Sequence, residues 1–318
     1  MVERIPGLVF LFPGQGSQSA GMGKELALHH IAARRTFDEA DEALGYELSK
    51  LCFEGPDEKL RMTEITQPAI LTVSVAAVRV LAEYGIAPSM VAGHSLGEYS
   101  AHVVAGTLSF ADAVRTVRNR GKYMQEAVPV GVGAMAAVLN LAIDQVRAAC
   151  DESLAKFPGA VCAPANINSP AQIVISGSKA AVEAAAELCK QKGARRAVML
   201  PVSAPFHCAL MQPAQDRLAE DLNALCFHDP ELPVMCNVEA ALVTGAQKAR
   251  ETLIRQVTGA VQWESSIRAL ISHGAKQFVE AGPGSVLTGL LRQIDKSHSC
   301  VYVENEATLQ KAKPQLAK

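Results

Sequence analysis

The chain predicts a mixed α/β fold: a large α/β-hydrolase-like domain with a mainly parallel sheet, plus a small inserted ferredoxin-like domain. Three observations lead there. Short apolar runs alternate with helical stretches over most of the 318 residues, as in a sheet covered by helices on both faces. One run, Ser89-Met90-Val91-Ala92, passes directly into Gly93-His94-Ser95-Leu96-Gly97, a Gly-x-Ser-x-Gly turn between a strand and a helix. Residues 131 to about 200 carry a separate β-α-β-β-α-β order.

Leu8–Phe12 is an apolar run of strand length, and the glycines of Pro13-Gly14-Gln15-Gly16-Ser17-Gln18 end it in a loop. That loop does not fit a phosphate loop. Gln18 stands where a Walker A motif needs its first glycine before Gly23-Lys24, and Glu25 follows where Ser or Thr is required. It also fails the dinucleotide fingerprint, because Ser19 occupies the third glycine position. Lys24–Ala43 and Pro68–Tyr84 read as helices. Ile70, Leu71, Val73, Val75, Val78 and Leu81 suit a packed second helix, which Gly85 stops. Ser89–Ala92 is a short buried strand and Leu96–Ala105 the helix after the turn. A further helix begins near Ser109, with Asp112 in its first turn.

Within 131–200, Ala134–Leu139, Val161–Ala165, Gln172–Ser176 and Ala197–Leu200 read as strands, and Leu141–Ala155 and Lys179–Lys192 as helices. The unit is entered through Val130-Gly131-Val132-Gly133 and left near Pro201. Domains are therefore expected at 1–130 and 201–318, together the large one, and at 131–200. Beyond it, Leu232–Cys236, Gln277–Glu280 and Cys300–Val303 read as strands, interleaved with helices at Lys248–Val257, Ser265–His273 and Ser285–Ile294. The Lys- and Gln-bearing tail after Glu306 is expected to be loosely attached.

Composition narrows the function classes. Hydrophobic residues make up 49%, yet no uncharged apolar run approaches the roughly 20 residues that span a bilayer. Met1-Val2-Glu3-Arg4-Ile5-Pro6 lacks the basic segment and apolar core of a signal peptide. A cytoplasmic protein without a membrane partner is expected. A net charge of −2 argues against nucleic acid as the main partner. The eight cysteines include no Cys-x-x-Cys pair, so reduced thiols are expected and neither disulfides nor a metal site.

Ser95 is the strongest candidate for chemistry. The flanking glycines permit a sharp turn that exposes the hydroxyl, and the next backbone N–H is available to an oxyanion. A serine also needs a base, and there are eight histidines. His29, His30 and His298 lie in polar surroundings near helix ends and are expected to be solvated. His102 follows Ser95 by about two helical turns, facing solvent or packing rather than the hydroxyl. His94 leaves the turn in another direction. His207 remains the best candidate, in Ala204-Pro205-Phe206-His207-Cys208, a loop-to-helix junction with the backbone fixed by Pro205. A capping or core histidine is the competing reading.

Several segments run in order over nearly the whole chain: Phe12–Gln18, Gly93–Ala101, Arg120-Gly121-Lys122-Tyr123-Met124-Gln125, Ser203–Met211, Gln262-Trp263 and Glu280–Leu287. Together they resemble the malonyl-CoA:acyl carrier protein transacylases, which load malonyl groups for fatty acid synthesis. The resemblance implies that Ser95 is the acylated nucleophile and His207 its base, a dyad without a third carboxylate. It implies that the backbone carbonyl of Gln256 orients the imidazole and that the backbone N–H groups of Gln15 and Leu96 form the oxyanion hole. Arg120 matches the arginine that binds the malonyl carboxylate; from the sequence alone it is one of three helix arginines with Arg115 and Arg118. Phe206 matches a side chain associated with malonyl over methylmalonyl. Malonyl-CoA and coenzyme A are the implied substrate and product, acyl carrier protein a transient partner, and no metal or cofactor is required. Lys122, Lys190, Lys192, Arg195 and Arg196 are candidates for a patch facing that acidic partner. A serine hydrolase such as a thioesterase shares the turn and the histidine, and a free-standing polyketide acyltransferase shares more. The Gln15 loop and Arg120 favour transfer, and Glu98-Tyr99-Ser100-Ala101 is most similar to the fatty acid version.

Overall fold

Leu8–Phe12 is apolar throughout because both of its faces are covered. In the computed structural model of the protein, which describes residues 2–202 and 204–316, Leu8, Phe10 and Phe12 enter one hydrophobic core while Val9 and Leu11 enter another. This is the two-residue alternation of a strand buried on both sides. The strands among the described residues are β1 (Leu8–Phe12), β2 (Met90–Gly93), β3 (Gly133–Leu139), β4 (Cys162–Ser169), β5 (Gln172–Ser178), β6 (Arg196–Met199), β7 (Val234–Met235), β8 (Leu242–Val243), β9 (Gln277–Ala281) and β10 (Ser299–Val303).

One sheet has the order β10-β9-β1-β2-β7-β8, and its pairings are parallel except β7 with β8. The loops after β1 and β2 leave neighbouring strand ends, the edge where open α/β sheets bind ligands. Phe12 is in register with Gly93, and the His94 N–H donates to Phe12 O at 3.0 Å. Gln15 and Ser95, distant in sequence, thus emerge side by side.

The other sheet is antiparallel, in the order β4-β5-β3-β6. Helices Ile143–Lys156 and Lys179–Gln191 close its own core, which includes Val138, Val146, Ile175 and Val182. Strand β4 ties it to the rest of the molecule: Ile167 N–H donates to Val261 O at 2.9 Å, and Val261 N–H to Ala165 O at 2.8 Å.

The observed segments correct several expectations. Lys24–Ala43 is two helices, Lys24–His29 and Ile31–Leu44, because His30 is extended at φ −127° and ψ 124°. The helix expected from Pro68 starts at Thr63 and runs to Glu83, with Pro68 inside it; burial of most of its length outweighs one missing hydrogen bond. By length and composition this helix could cross a membrane, but 78% of its apolar window is buried in the fold. The tail is not loosely attached. Glu306–Leu316 is a helix that buries Leu309, Ala312 and Leu316. His30, expected to be solvated, is buried instead, 2.7 Å from Glu306 and 3.5 Å from Glu83.

Candidate active site

The turn after β2 is tight enough to put Ser95 at φ 51°, a left-handed conformation that costs a non-glycine residue energy and persists only when its surroundings enforce it. Its two glycines are sterically required. A Cβ on Gly93 would lie 1.9 Å from the Gly97 carbonyl, and one on Gly97 would lie 2.1 Å from Phe12 O. Asn237 braces the turn from the loop after β7. Its Oδ1 accepts the Ser95 N–H at 2.7 Å, and its Nδ2 donates to Gly93 O at 2.7 Å. The helix Gly97–Val104 then starts directly over the strand ends.

His207 Nε2 lies 2.7 Å from Ser95 Oγ. The other ring nitrogen, Nδ1, faces the backbone carbonyls of Gln256 at 2.9 Å and Gly259 at 3.2 Å. Carbonyls only accept, so Nδ1 carries the proton and Nε2 presents its lone pair to the serine. Burial, and then the charge of Arg120, push the His207 pKa down to about 3, which keeps the ring neutral at ordinary pH. Of the matching segment Ser203–Met211, Ser203 lies outside the described residues.

Arg120 arrives from the helix Phe110–Glu126, whose N-cap Ser109 accepts the Asp112 N–H. It is 1% exposed. One terminal nitrogen donates to Gln67 Oε1 at 2.8 Å; the other donates to Ser95 Oγ at 3.1 Å and to Gln256 Oε1 at 3.0 Å. These partners are all neutral, and among the described residues its Nε has no partner. The buried carboxylate of Glu98 acts on this cation through the Gln256 amide rather than by direct contact. The site therefore presents, beside the nucleophile, a guanidinium that no carboxylate contacts directly among the described residues.

Ser95, His207, Arg120, Gln15, Leu96 and Phe206 all line one cleft of about 800 Å³. Among the described residues, no hydrogen bond occupies the backbone N–H of Gln15 or of Leu96. His94 turns away from Ser95, its Nε2 2.8 Å from Asn168 Oδ1 and its ring 5.4 Å from that of Trp263. His102 is packed, fully buried, with Nε2 4.0 Å from Glu98.

Sequence reasoning missed Gln67, Asn168 and Asn237 and assigned no task to Glu98. Gln67 and Glu98 left only a weak signal, since each stands in a helix that carries other polar residues too. The Asn residues left none, because each acts on a segment remote in sequence. The basic candidates do not line the cleft. Lys122, Lys190 and Lys192 pair with Glu126, Glu187 and Glu152, and Arg195 and Arg196 border a separate pocket with Asn140 and Gln293. No group of three or more His, Cys, Asp or Glu among the described residues could hold a metal ion.

Compared with known families, the chain matches the acyl transferase domain over residues 9–315. The chain belongs to the acyl transferase family. The match begins inside β1 and ends in the C-terminal helix, so the acyl transferase region takes in both sheets and the whole cleft. A malonyl CoA-acyl carrier protein transacylase of Escherichia coli O157:H7 is 50% identical over 286 residues, covering 90% of this chain and 92% of the relative. One of Bacillus subtilis (strain 168) is 48% identical over 305 residues, covering 96% of each. Among solved structures, the malonyl CoA-acyl carrier protein transacylase of Coxiella burnetii superposes with a TM-score of 0.95 at 42% identity, over 99% of this chain and 100% of that one. A complex of a type II PKS acyl-carrier protein with its malonyl-transacylase gives a TM-score of 0.93 at 45% identity, over 97% of this chain and 99% of that one.

Proposed function

We propose that this acyl transferase moves malonyl from malonyl-CoA to the phosphopantetheine thiol of acyl carrier protein, for fatty acid biosynthesis, through a malonyl ester on Ser95. The observation that carries the reading is the convergence on one oxygen: Ser95 Oγ lies 2.7 Å from the neutral His207 Nε2 and 3.1 Å from Arg120, whose direct hydrogen-bond partners are all neutral. Nucleophile, base and a cation suited to an acid-bearing acyl group meet there.

In this reading Ser95 Oγ attacks the thioester carbonyl while His207 Nε2 takes its proton. The negative charge that develops on the carbonyl oxygen falls to the backbone N–H groups of Gln15 and Leu96; each such donor is worth about 3 kcal/mol because it is already in place. The C–S bond breaks, and the imidazolium returns the proton to departing coenzyme A. The carrier thiol then enters, loses its proton to His207 and attacks the ester; the serine oxygen leaves and recovers the proton. The Gln256 carbonyl holds the imidazole in the required tautomer through both halves. Arg120 clamps the malonyl carboxylate with two parallel hydrogen bonds, and Phe206, on the cleft wall, limits substitution next to it.

We also read the molecule as a large α/β-hydrolase-like domain, 1–130 with 201–318, and an inserted ferredoxin-like domain, 131–200. A separate core and the order β4-β5-β3-β6 support the small domain, and a serine turn at the end of a parallel strand supports the large one. We place the protein in the cytoplasm, in keeping with its free cysteines.

The test is intact-protein mass spectrometry after brief mixing with malonyl-CoA, followed by addition of phosphopantetheinylated acyl carrier protein. A malonyl adduct on Ser95 that moves to the carrier is the expected result. An adduct lost to water at the same rate with or without carrier would indicate a hydrolase instead.

A further inference from the structure

We propose that Glu98 is a positioning residue for the malonyl-binding half of the site: its buried carboxylate, together with Ser95 O, sets which way round the Gln256 side-chain amide sits, and so holds Arg120 beside Ser95. The inference rests on Arg120 being the malonyl clamp. Glu98 stands in the first turn of the helix Gly97–Val104 and is fully buried. Its Oε2 accepts the Asn237 N–H at 3.0 Å and Gln256 Nε2 at 2.7 Å. Gln256 Nε2 also donates to Ser95 O at 2.9 Å, while Gln256 Oε1 accepts from Arg120 at 3.0 Å.

A glutamine amide has a donor end and an acceptor end. A carboxylate and a carbonyl can only accept, so the donor end must face Glu98 and Ser95 O, and the acceptor end is left for the guanidinium. The reversed amide would set oxygen against two oxygens and N–H groups against N–H groups. The Glu98 carboxylate and the Ser95 carbonyl together therefore set the polarity of a relay that ends on the cation. Asn237 extends the same control to the nucleophile, because it binds Glu98 through its backbone N–H and the Ser95 N–H through its side chain. The groups facing Glu98 are His102 and Tyr99 on its own helix, Arg120 on the helix Phe110–Glu126 and Cys236 after β7. Oε1 has no hydrogen-bond partner among the described residues. A proton taken up there would leave Oε2 an acceptor, and so would an amide at this position.

The test compares wild type, Glu98→Gln and Glu98→Met for the rates at which malonyl-CoA and acetyl-CoA load Ser95, read by rapid quenching and intact mass. Methionine fills the space without an acceptor and should lower the malonyl-to-acetyl ratio about 10-fold or more, the effect of losing a charge-assisted hydrogen bond. Glutamine should restore the wild-type ratio. Equal slowing of both acyl groups in Glu98→Met, or a glutamine variant no better than methionine, overturns the proposal. If Glu98→Met does not fold, Gln256→Leu removes the relay but keeps the backbone carbonyl on His207; a wild-type ratio there overturns it equally. Arg120→Ala separates the two readings. Equal loss of malonyl and acetyl in Arg120→Ala sinks the clamp itself, whereas a selective loss of malonyl in Arg120→Ala beside an unchanged malonyl-to-acetyl ratio in Glu98→Met sinks only the role of Glu98.

Discussion

Ser95 Oγ and His207 Nε2 are 2.7 Å apart, and both residues have left-handed backbones, at φ 51° and φ 59°. Each side chain is thus presented by a turn that an ordinary residue avoids. Asn237 and two glycines hold the serine turn, and two backbone carbonyls hold the histidine ring.

The base should stay active into mildly acidic solution. Protonation of Nε2 removes the acceptor for the serine proton, and burial pushes the His207 pKa down to about 3 from the ordinary 6.5. The rate of Ser95 malonylation should therefore remain nearly flat from pH 8 to pH 6 and fall only well below 6.5. A half-maximal rate at pH 6.5 would mean that the ring is solvated in the working enzyme. His207→Ala should cost about 10⁴-fold or more, as loss of a serine enzyme's base does.

Arg120→Ala should separate malonyl from acetyl. Removing one partner of a buried charged pair costs about 2–5 kcal/mol, so malonyl loading should drop about 30-fold or more while acetyl loading changes far less. Competition between the two acyl-CoA substrates in one reaction measures the ratio directly.

Gly97→Ala should abolish loading and destabilise the fold. The added Cβ would sit 2.1 Å from Phe12 O, a backbone atom of β1 that cannot swing aside. A loss of at least about 1–3 kcal/mol is expected from such overpacking, read as a lower midpoint in urea. An unchanged midpoint would show that the turn is looser than its contacts imply.

Stability should fall as the solution is acidified below pH 6.5. His94, His102 and His207 are all pushed below their ordinary value by burial. Below 6.5 the unfolded chain binds protons that the folded one refuses, so His102 and His207, both held near 3, each cost up to about 2 kcal/mol by pH 5, and His94 acts in the same direction. Glu98 acts with the opposite sign: burial raises its pKa to about 7, and the folded state gains protons as pH falls from 7 toward 4.5. It offsets about one histidine over this range, at roughly 1.4 kcal/mol per pH unit. His102 has no hydrogen-bond partner for either ring nitrogen among the described residues, so His102→Leu should flatten the fall in melting temperature between pH 6.5 and 5. An undiminished slope would show that its ring titrates normally.

Local pattern made much of this protein legible. The alternation along Leu8–Phe12, the glycine spacing around Ser95 and the strand-helix order of 131–200 depend on neighbours a few residues apart, which a sequence displays directly. The boundaries of the helix Thr63–Glu83 and the packing of Glu306–Leu316 are not legible in the same way: Pro68 and a polar tail are poor local signals, and burial against distant helices and strands overrides them.

By itself, the sequence determined which residue types could do the chemistry and which stretches became strands, turns and helices. Only the tertiary structure decided which of them meet. Glu98 and Asn237 meet beside Ser95 because β2 and β7 are sheet neighbours, and the helix Thr63–Glu83 and the end of the helix Ala246–Arg255 bring Gln67 and Gln256 to Arg120. In that buried place each polar atom must find a partner, whereas along the chain the same residues stand far apart and nothing requires them to pair.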